Sequence, residues 1–397
     1  MSESRGWTRR EALGILGMGV AAAALPEFAS AAPPTFPKGA VIRTILKDYA
    51  PEELAGGATL FHEHMSFADN FMTRWTGYAA DSRRENAMPG APPPGAAAGA
   101  GRQGGAAPAP PPSTPSGKYF MQDPDYMVEE MKIAKSEGIS CIVDGGHPDM
   151  DRDLDALTRI ANGSGVHIVA SGGFYMQRNY PADIATRSAD QIAADLVRDA
   201  RAQRLGAFGE IGQQGGVLTD DEKKVFTAVA KAQARTGIPI FTHNAYTGVR
   251  VVDPPVPMDA ALKQLDVLEA AGADVRHVAI GHVCCLDDPN VATAKALAKR
   301  GVFVGFDRVT INAIIPDDKR VAMVLAFLDA GYTDHLLLSS DFSNSRSLKK
   351  NGGAGIAQTV TAFGPMLTKA GVPEATLKKI LVDNPKRFLA FVPKSEV

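Results

Sequence analysis

Short runs of β-branched and apolar residues alternate along this chain with longer stretches whose apolar positions recur at helical spacing. The short runs cover residues 58–64, 140–144, 167–171, 207–211, 238–243, 277–282, 302–307 and 336–341. Between them lie Ala-, Leu-, Lys- and Asp-rich segments, best seen at 220–236, 258–271 and 317–330, which predict amphipathic helices. Gly237-Ile238-Pro239 and Gly301-Val302 mark points where a helix ends and runs into a strand. Eight strands alternating with helices predict a parallel sheet, and that count favours an α/β fold of the closed (β/α)8 TIM-barrel type. An open doubly wound sheet is the alternative, but no glycine-rich dinucleotide fingerprint follows any strand, and Gly172-Gly173 alone is too weak to count as one.

Two segments break the rhythm. Residues 88–117 are almost entirely Pro, Gly, Ala and Ser, a composition that cannot bury enough apolar surface to offset its ordering cost. This stretch is expected to be a disordered surface insertion in the connection after the first strand, with a mobile lid over the barrel mouth as the alternative. At the N-terminus, Arg9-Arg10 precede an apolar run over 13–25, and Ala29-Ser30-Ala31 reads as a small-residue cleavage site. That run is too short to span a membrane, which takes about 20 residues. The pair of arginines resembles a twin-arginine signal, with an ordinary secretory leader as the alternative. Residues 1–31 are therefore expected to direct export to the periplasm or medium without a stable membrane anchor. A single barrel domain is expected over 40–397, and residues 372–391 should form a helix and a short closing segment.

At 397 residues the chain can build a large core, and a net charge of −2 gives no reason to expect a nucleic-acid partner. Three cysteines argue against a disulfide scaffold. Cys141 reads as a small buried hydrophobe inside its strand, and Cys284 and Cys285 are adjacent, a poor arrangement for a mutual bridge.

The chemistry starts with His62-Glu63-His64. Side chains two apart on a strand share a face, so His62 and His64 aim together while Glu63 points away, as a structural carboxylate. Alone, the pair would better suit a turn with two exposed histidines. Downstream, however, Glu210, His243, His282 and Asp341 also fall at C-terminal ends of strands, which converge on one mouth in a barrel. Four histidines and two carboxylates are about what two adjacent divalent ions need. His147, His167, His277 and His335 lie in a loop or at strand beginnings and should not be ligands.

Together, Thr59-Leu60-Phe61-His62-Glu63-His64, Gly209-Glu210-Ile211-Gly212, Thr242-His243, Ile280-Gly281-His282 and Ser340-Asp341 resemble the phosphotriesterase family of the amidohydrolase superfamily. The closing Val382-Asp383-Asn384-Pro385-Lys386-Arg387-Phe388-Leu389 resembles that family too. The resemblance implies two divalent metal ions, zinc foremost with manganese or cobalt as alternatives. His62, His64 and Asp341 would hold the buried ion, and His243 and His282 the more exposed one. Many members bridge the ions with a carbamylated lysine; Glu210 places this chain in the branch that uses a glutamate directly. The implied activity is hydrolysis of ester, lactone or phosphotriester bonds in small molecules by a metal-bridging hydroxide, oriented and deprotonated by Asp341. A homodimer is the implied assembly.

Two departures stand out. The aspartates that help pass a proton outward in phosphotriesterases are displaced by Val283-Cys284-Cys285, and Arg308 occupies a position where His or Arg occurs. Arg308 could contact an oxygen-rich substrate or form a surface ion pair. Tyr175 resembles the tyrosine that lactonases set beside the bridging solvent, with a pocket-rim role as the alternative. Phe67, Phe71 and Trp75 either line an apolar pocket or pack the first loop. Two other functions fit less well: a TatD-type metal nuclease, which should show basic residues around the mouth, and a non-catalytic metal-containing binder of small ligands, which should have lost a metal ligand.

Overall fold

A computed structural model of the chain describes residues 34–394, apart from 55, 70, 72–113, 246–255 and 313–314. The expected leader, Trp75 and the insertion up to residue 113 lie outside the described residues. Residues 114–117, which composition groups with the insertion, belong to a turn in which Thr114 is buried and donates to the Lys118 carbonyl.

Eight strands form one sheet in sequence order: β1 (Ala58–Glu63), β2 (Ile139–Asp144), β3 (His167–Gly172), β4 (Ala207–Gly212), β5 (Ile240–His243), β6 (Val278–Ile280), β7 (Phe303–Phe306) and β8 (Leu336–Leu338). Every neighbouring pair is parallel. The outer edges meet at the C-terminal mouth, where Asp341 N–H donates to the His62 carbonyl at 3.2 Å and His64 N–H to the Phe342 carbonyl at 3.0 Å. The sheet thus curls into the (β/α)8 barrel that the alternation predicts.

Strand periodicity sorts the side chains. Phe61, Cys141, Val143, Val169, Ala207, Phe241, Ala279, Phe303 and Leu337 share one buried cluster inside the barrel. Their strand neighbours Leu60, Ile142, Ile168, Phe208, Ile240, Val278, Val304 and Leu338 belong to a second cluster, shared with the helices outside. Each fully buried Val, Leu, Ile or Phe among them contributes on the order of 1.5–3 kcal/mol before chain entropy is counted. Phe388 plugs the far end of the barrel, its ring 6.2 Å from that of Phe61 and 5.8 Å from that of Phe303. It is carried by the helix Asn384–Leu389, after which Phe391 pairs with Val41.

The helix Asp220–Thr236 has the bounds its pattern predicts. Thr219 accepts from Glu222 N–H, Glu222 returns the bond to Thr219 N–H, and Gly237 closes the helix at φ +82°. Ala260–Ala270 and Asp317–Asp329 are slightly shorter than their patterns, as frayed ends usually are. The last three strands stop short of the predicted 282, 307 and 341. His282 and Asp341 take φ of +58° and +50°, which turns the backbone out of the ladder where the chemistry begins.

Candidate metal centre

The C-terminal ends of β1, β4, β5, β6 and β8 bring His62, His64, Glu210, His243, His282 and Asp341 together at the barrel mouth, all of them buried. Glu210 is at the centre. Its Oε1 lies 3.3 Å from His64 Nε2, and its Oε2 lies 3.1 Å from His62 Nε2, 2.9 Å from His243 Nδ1 and 3.5 Å from His282 Nε2. Asp341 Oδ1 is 3.1 Å from His64 Nε2 and 3.9 Å from His62 Nε2. Their donor atoms form two sets that share Glu210, His62, His64, Glu210 and Asp341 in one and Glu210, His243 and His282 in the other, and a third set joins His62 and His282 to Asp307. The predicted controls His147, His167, His277 and His335 belong to no such set among the described residues.

This donor set suits divalent cations. Buried His62 Nε2 makes no well-formed hydrogen bond although Glu210 Oε2 lies 3.1 Å away, and His282 Nε2 faces His243 Nδ1 at 2.9 Å, two ring nitrogens turned toward each other. Imidazole and carboxylate together suit zinc and its neighbours. Without cations, protons must take their place. Burial works against charge on His64, but Asp341 and Glu210 outweigh it and hold the ring up at about 10. Burial likewise opposes the charged form of His282, yet Asp307 and Glu210 lift it to about 9. Burial disfavours the Glu210 carboxylate, and His243 and His62 overcome that to hold it well below the usual range. The cluster is therefore a buried sink for positive charge, able to bind metal ions.

A second layer fixes these ligands. Glu63 points away from the histidines, as alternation requires, and spans to the end of β8. It accepts from Ser339 and Ser340 hydroxyls and from the N–H groups of Ser340 and Phe342. Burial nevertheless pushes it up to about 7. His147 Nε2 donates to the Glu210 carbonyl at 3.0 Å, and its Nδ1 pairs with Asp149. Asp307 is fully buried behind the ligands and touches two of them. Its Oδ2 lies 2.9 Å from His62 Nδ1, and its Oδ1 lies 3.0 Å from His282 Nδ1 and 2.7 Å from His282 N. Burial raises a carboxyl, but His282 and His62 hold Asp307 far below its ordinary value. Sequence reasoning passed over Asp307, although it too ends a predicted strand and so falls under the rule that picked out the candidate ligands. The placement of His147 and Asp149 against Glu210 and Tyr175 left no comparable signal in the sequence.

Above the cluster, a cavity is lined by His64, Phe67, Phe71, Tyr175, Glu210, Arg308, Asp341 and Ser343. Phe67 and Phe71 thus line the pocket, their rings 4.9 Å apart. Tyr175 is inside this cavity rather than at its rim, its hydroxyl 3.3 Å from His243 Nδ1 and its backbone N–H donating to Asp149. Arg308 makes its ion pair within the site: Nη1 donates to Asp341 Oδ2 at 2.6 Å, and the side chain is 16% exposed. Cys141, Cys284 and Cys285 are buried free thiols. Arg308 N–H donates to Cys284 Sγ at 3.4 Å, and neither adjacent cysteine joins a metal-compatible set among the described residues.

Known proteins resemble this chain in sequence and fold. The chain is 31% identical over 269 residues to the phosphotriesterase homology protein of Escherichia coli K12, an alignment covering 66% of this chain and 88% of that one. The crystal structure of an Escherichia coli phosphotriesterase homology protein with phosphate in its active site superposes with a TM-score of 0.67 at 26% identity, over 86% of this chain and 100% of that one. The N-acetyltaurine hydrolase of Rattus norvegicus is 28% identical over 370 residues, covering 88% of this chain and 98% of its own. A lactonase from Listeria monocytogenes shares the fold, with a TM-score of 0.68 at 21% identity over 88% of this chain and 99% of that one. The family profile itself matches residues 48–389. The chain belongs to the phosphotriesterase family.

Proposed function

We propose that this protein is a binuclear metal-dependent hydrolase of carboxylic ester or lactone bonds in small molecules, with phosphotriesters as side substrates. The observation that carries this reading is the position of Glu210, one carboxylate within 3.5 Å of ring nitrogens from all four ligand histidines. His62, His64 and Asp341 would hold one ion and His243 and His282 the other, with Glu210 between them. Two ions there, zinc foremost, would supply Lewis acidity and lower the pKa of water.

The remaining work falls to this chain's own side chains. Asp341 reaches from the ligand set into the cavity and is suited to accept the proton of the attacking water. Arg308 holds its Oδ2, fixing the orientation of the carboxylate. Tyr175 brings a hydroxyl beside His243, placed to donate to a carbonyl or ring oxygen of a bound lactone. Phe67 and Phe71 supply an apolar wall of the cavity. Relatives named for an N-acetyl amide and for a lactone both point to attack at an acyl carbon. The ligand set is complete, which weighs against a pure binding role. Among the described residues the cavity's one guanidinium is engaged by Asp341, which weighs against a nuclease. The arginine pair ahead of the apolar leader supports export to the periplasm.

A panel of aryl esters, lactones, phosphotriesters and N-acyl amides, assayed with added zinc, manganese or cobalt, tests the reaction class. Turnover of an ester or lactone well above that of phosphotriesters is the expected result. Exclusive amide turnover would reassign the bond, and inertness toward all four classes would remove the hydrolase reading.

A further inference from the structure

Among the described residues, Asp307 is the one buried carboxylate that touches a candidate ligand from each half of the centre without lining the cavity. Its geometry decides which nitrogen of each ring is free. A carboxylate only accepts, so His62 and His282 must both carry a proton on Nδ1, and the nitrogen that can offer a lone pair to a metal ion is Nε2, on the side of Glu210. The two rings stand nearly parallel, with centroids 5.0 Å apart and an interplanar angle of 23°, as one shared acceptor behind both would impose. The site around Asp307 is built to close quarters. A Cβ on Gly281 would lie 2.8 Å from Asp307 Oδ2, and one on Gly305 would lie 3.1 Å from it.

The two oxygens are not equivalent. Oδ1 takes two donors, His282 N–H and His282 Nδ1, whereas Oδ2 takes His62 Nδ1 alone. We propose that Asp307 is a positioning residue that sets the tautomers of His62 and His282 and so prepares both halves of the metal centre, with His62 depending on it most. This rests on the two-ion reading above. An amide at position 307 would keep its oxygen where two donors demand it and turn its NH2 toward His62 Nδ1. His62 would then have to accept at Nδ1 and carry its proton on Nε2, which removes its lone pair from the ion it shares with His64 and Asp341.

The test is metal content. After zinc loading and dialysis, the unsubstituted protein should retain two ions per chain. Asp307→Asn should retain about one, the weakened ion dissociating about 10–100-fold more readily. The double variant Asp307→Asn with His62→Gln should lose no more zinc than His62→Gln alone. Two ions retained by a folded Asp307→Asn would overturn the proposal, as would loss of both. Fewer than two in the unsubstituted protein would instead overturn the two-ion reading itself. Should Asp307→Asn not fold, nitrogen-15 imidazole spectra of the zinc-loaded, unsubstituted protein decide the matter. Protonated Nδ1 on both His62 and His282 is the expected pattern, and a protonated Nε2 on either overturns it.

Discussion

Asp341 meets two demands at once: one oxygen faces His64 and the other is gripped by Arg308. Burial alone would raise this carboxyl, but Arg308, His64 and the other histidines hold it below its usual value. A base must lose its proton to act, so a lower pKa keeps Asp341 competent at lower pH. Arg308→Met removes the largest lowering charge and should move the acid limb of the kcat/KM profile to higher pH; an unmoved limb would separate Arg308 from Asp341. Asp341→Asn should cost about 10²–10⁴-fold in kcat, the usual range for a positioned acid or base. Tyr175→Phe should reduce lactone turnover more than aryl ester turnover, because only its hydroxyl is removed. Equal loss on both substrates would assign Tyr175 to packing against Phe71 and His243.

At the scale of elements, the mouth is held shut by side chains at strand ends as much as by the ladder. Glu63 leaves β1 for the end of β8 and gathers four donors there. Glu63→Gln replaces an acceptor oxygen with a donor and sets it against one of them. That mismatch should lower stability by about 1–3 kcal/mol in urea unfolding, and a change near zero would contradict the tie. The same strand ends explain what could be read from the sequence. His62 and His64 were legible because alternation places them on one face, and Glu210, His243, His282 and Asp341 because each closes an apolar run. Asp307 obeys the same rule but was hidden behind its neighbour Arg308. The αL turns at His282 and Asp341 left no trace, since neither residue is the glycine that usually marks positive φ. The contact of His147 with Glu210 joins residues 63 positions apart through a loop, and no periodicity announces such a pairing.

For the whole molecule, the histidines of the candidate metal centre make one contribution to stability depend on pH. In the metal-free protein His64 and His282 are held at about 10 and about 9, above the ordinary 6.5. A raised folded value means that their contribution is fully present below about 6.5 and is lost as pH rises through about 9–10. The urea midpoint of metal-free protein should therefore fall across that window, and a midpoint that rises there would contradict the assigned contacts. Metal uptake at neutral pH must expel these protons. Calorimetric titrations in buffers of different ionisation enthalpy should register their release.

Metal analysis of the purified protein bears most directly on the centre. Close to two divalent ions per chain are expected, falling sharply in Glu210→Ala, which removes the carboxylate common to both donor sets, and in His62→Ala. One tightly bound ion per chain, none, or a full complement in Glu210→Ala would contradict a glutamate-bridged pair.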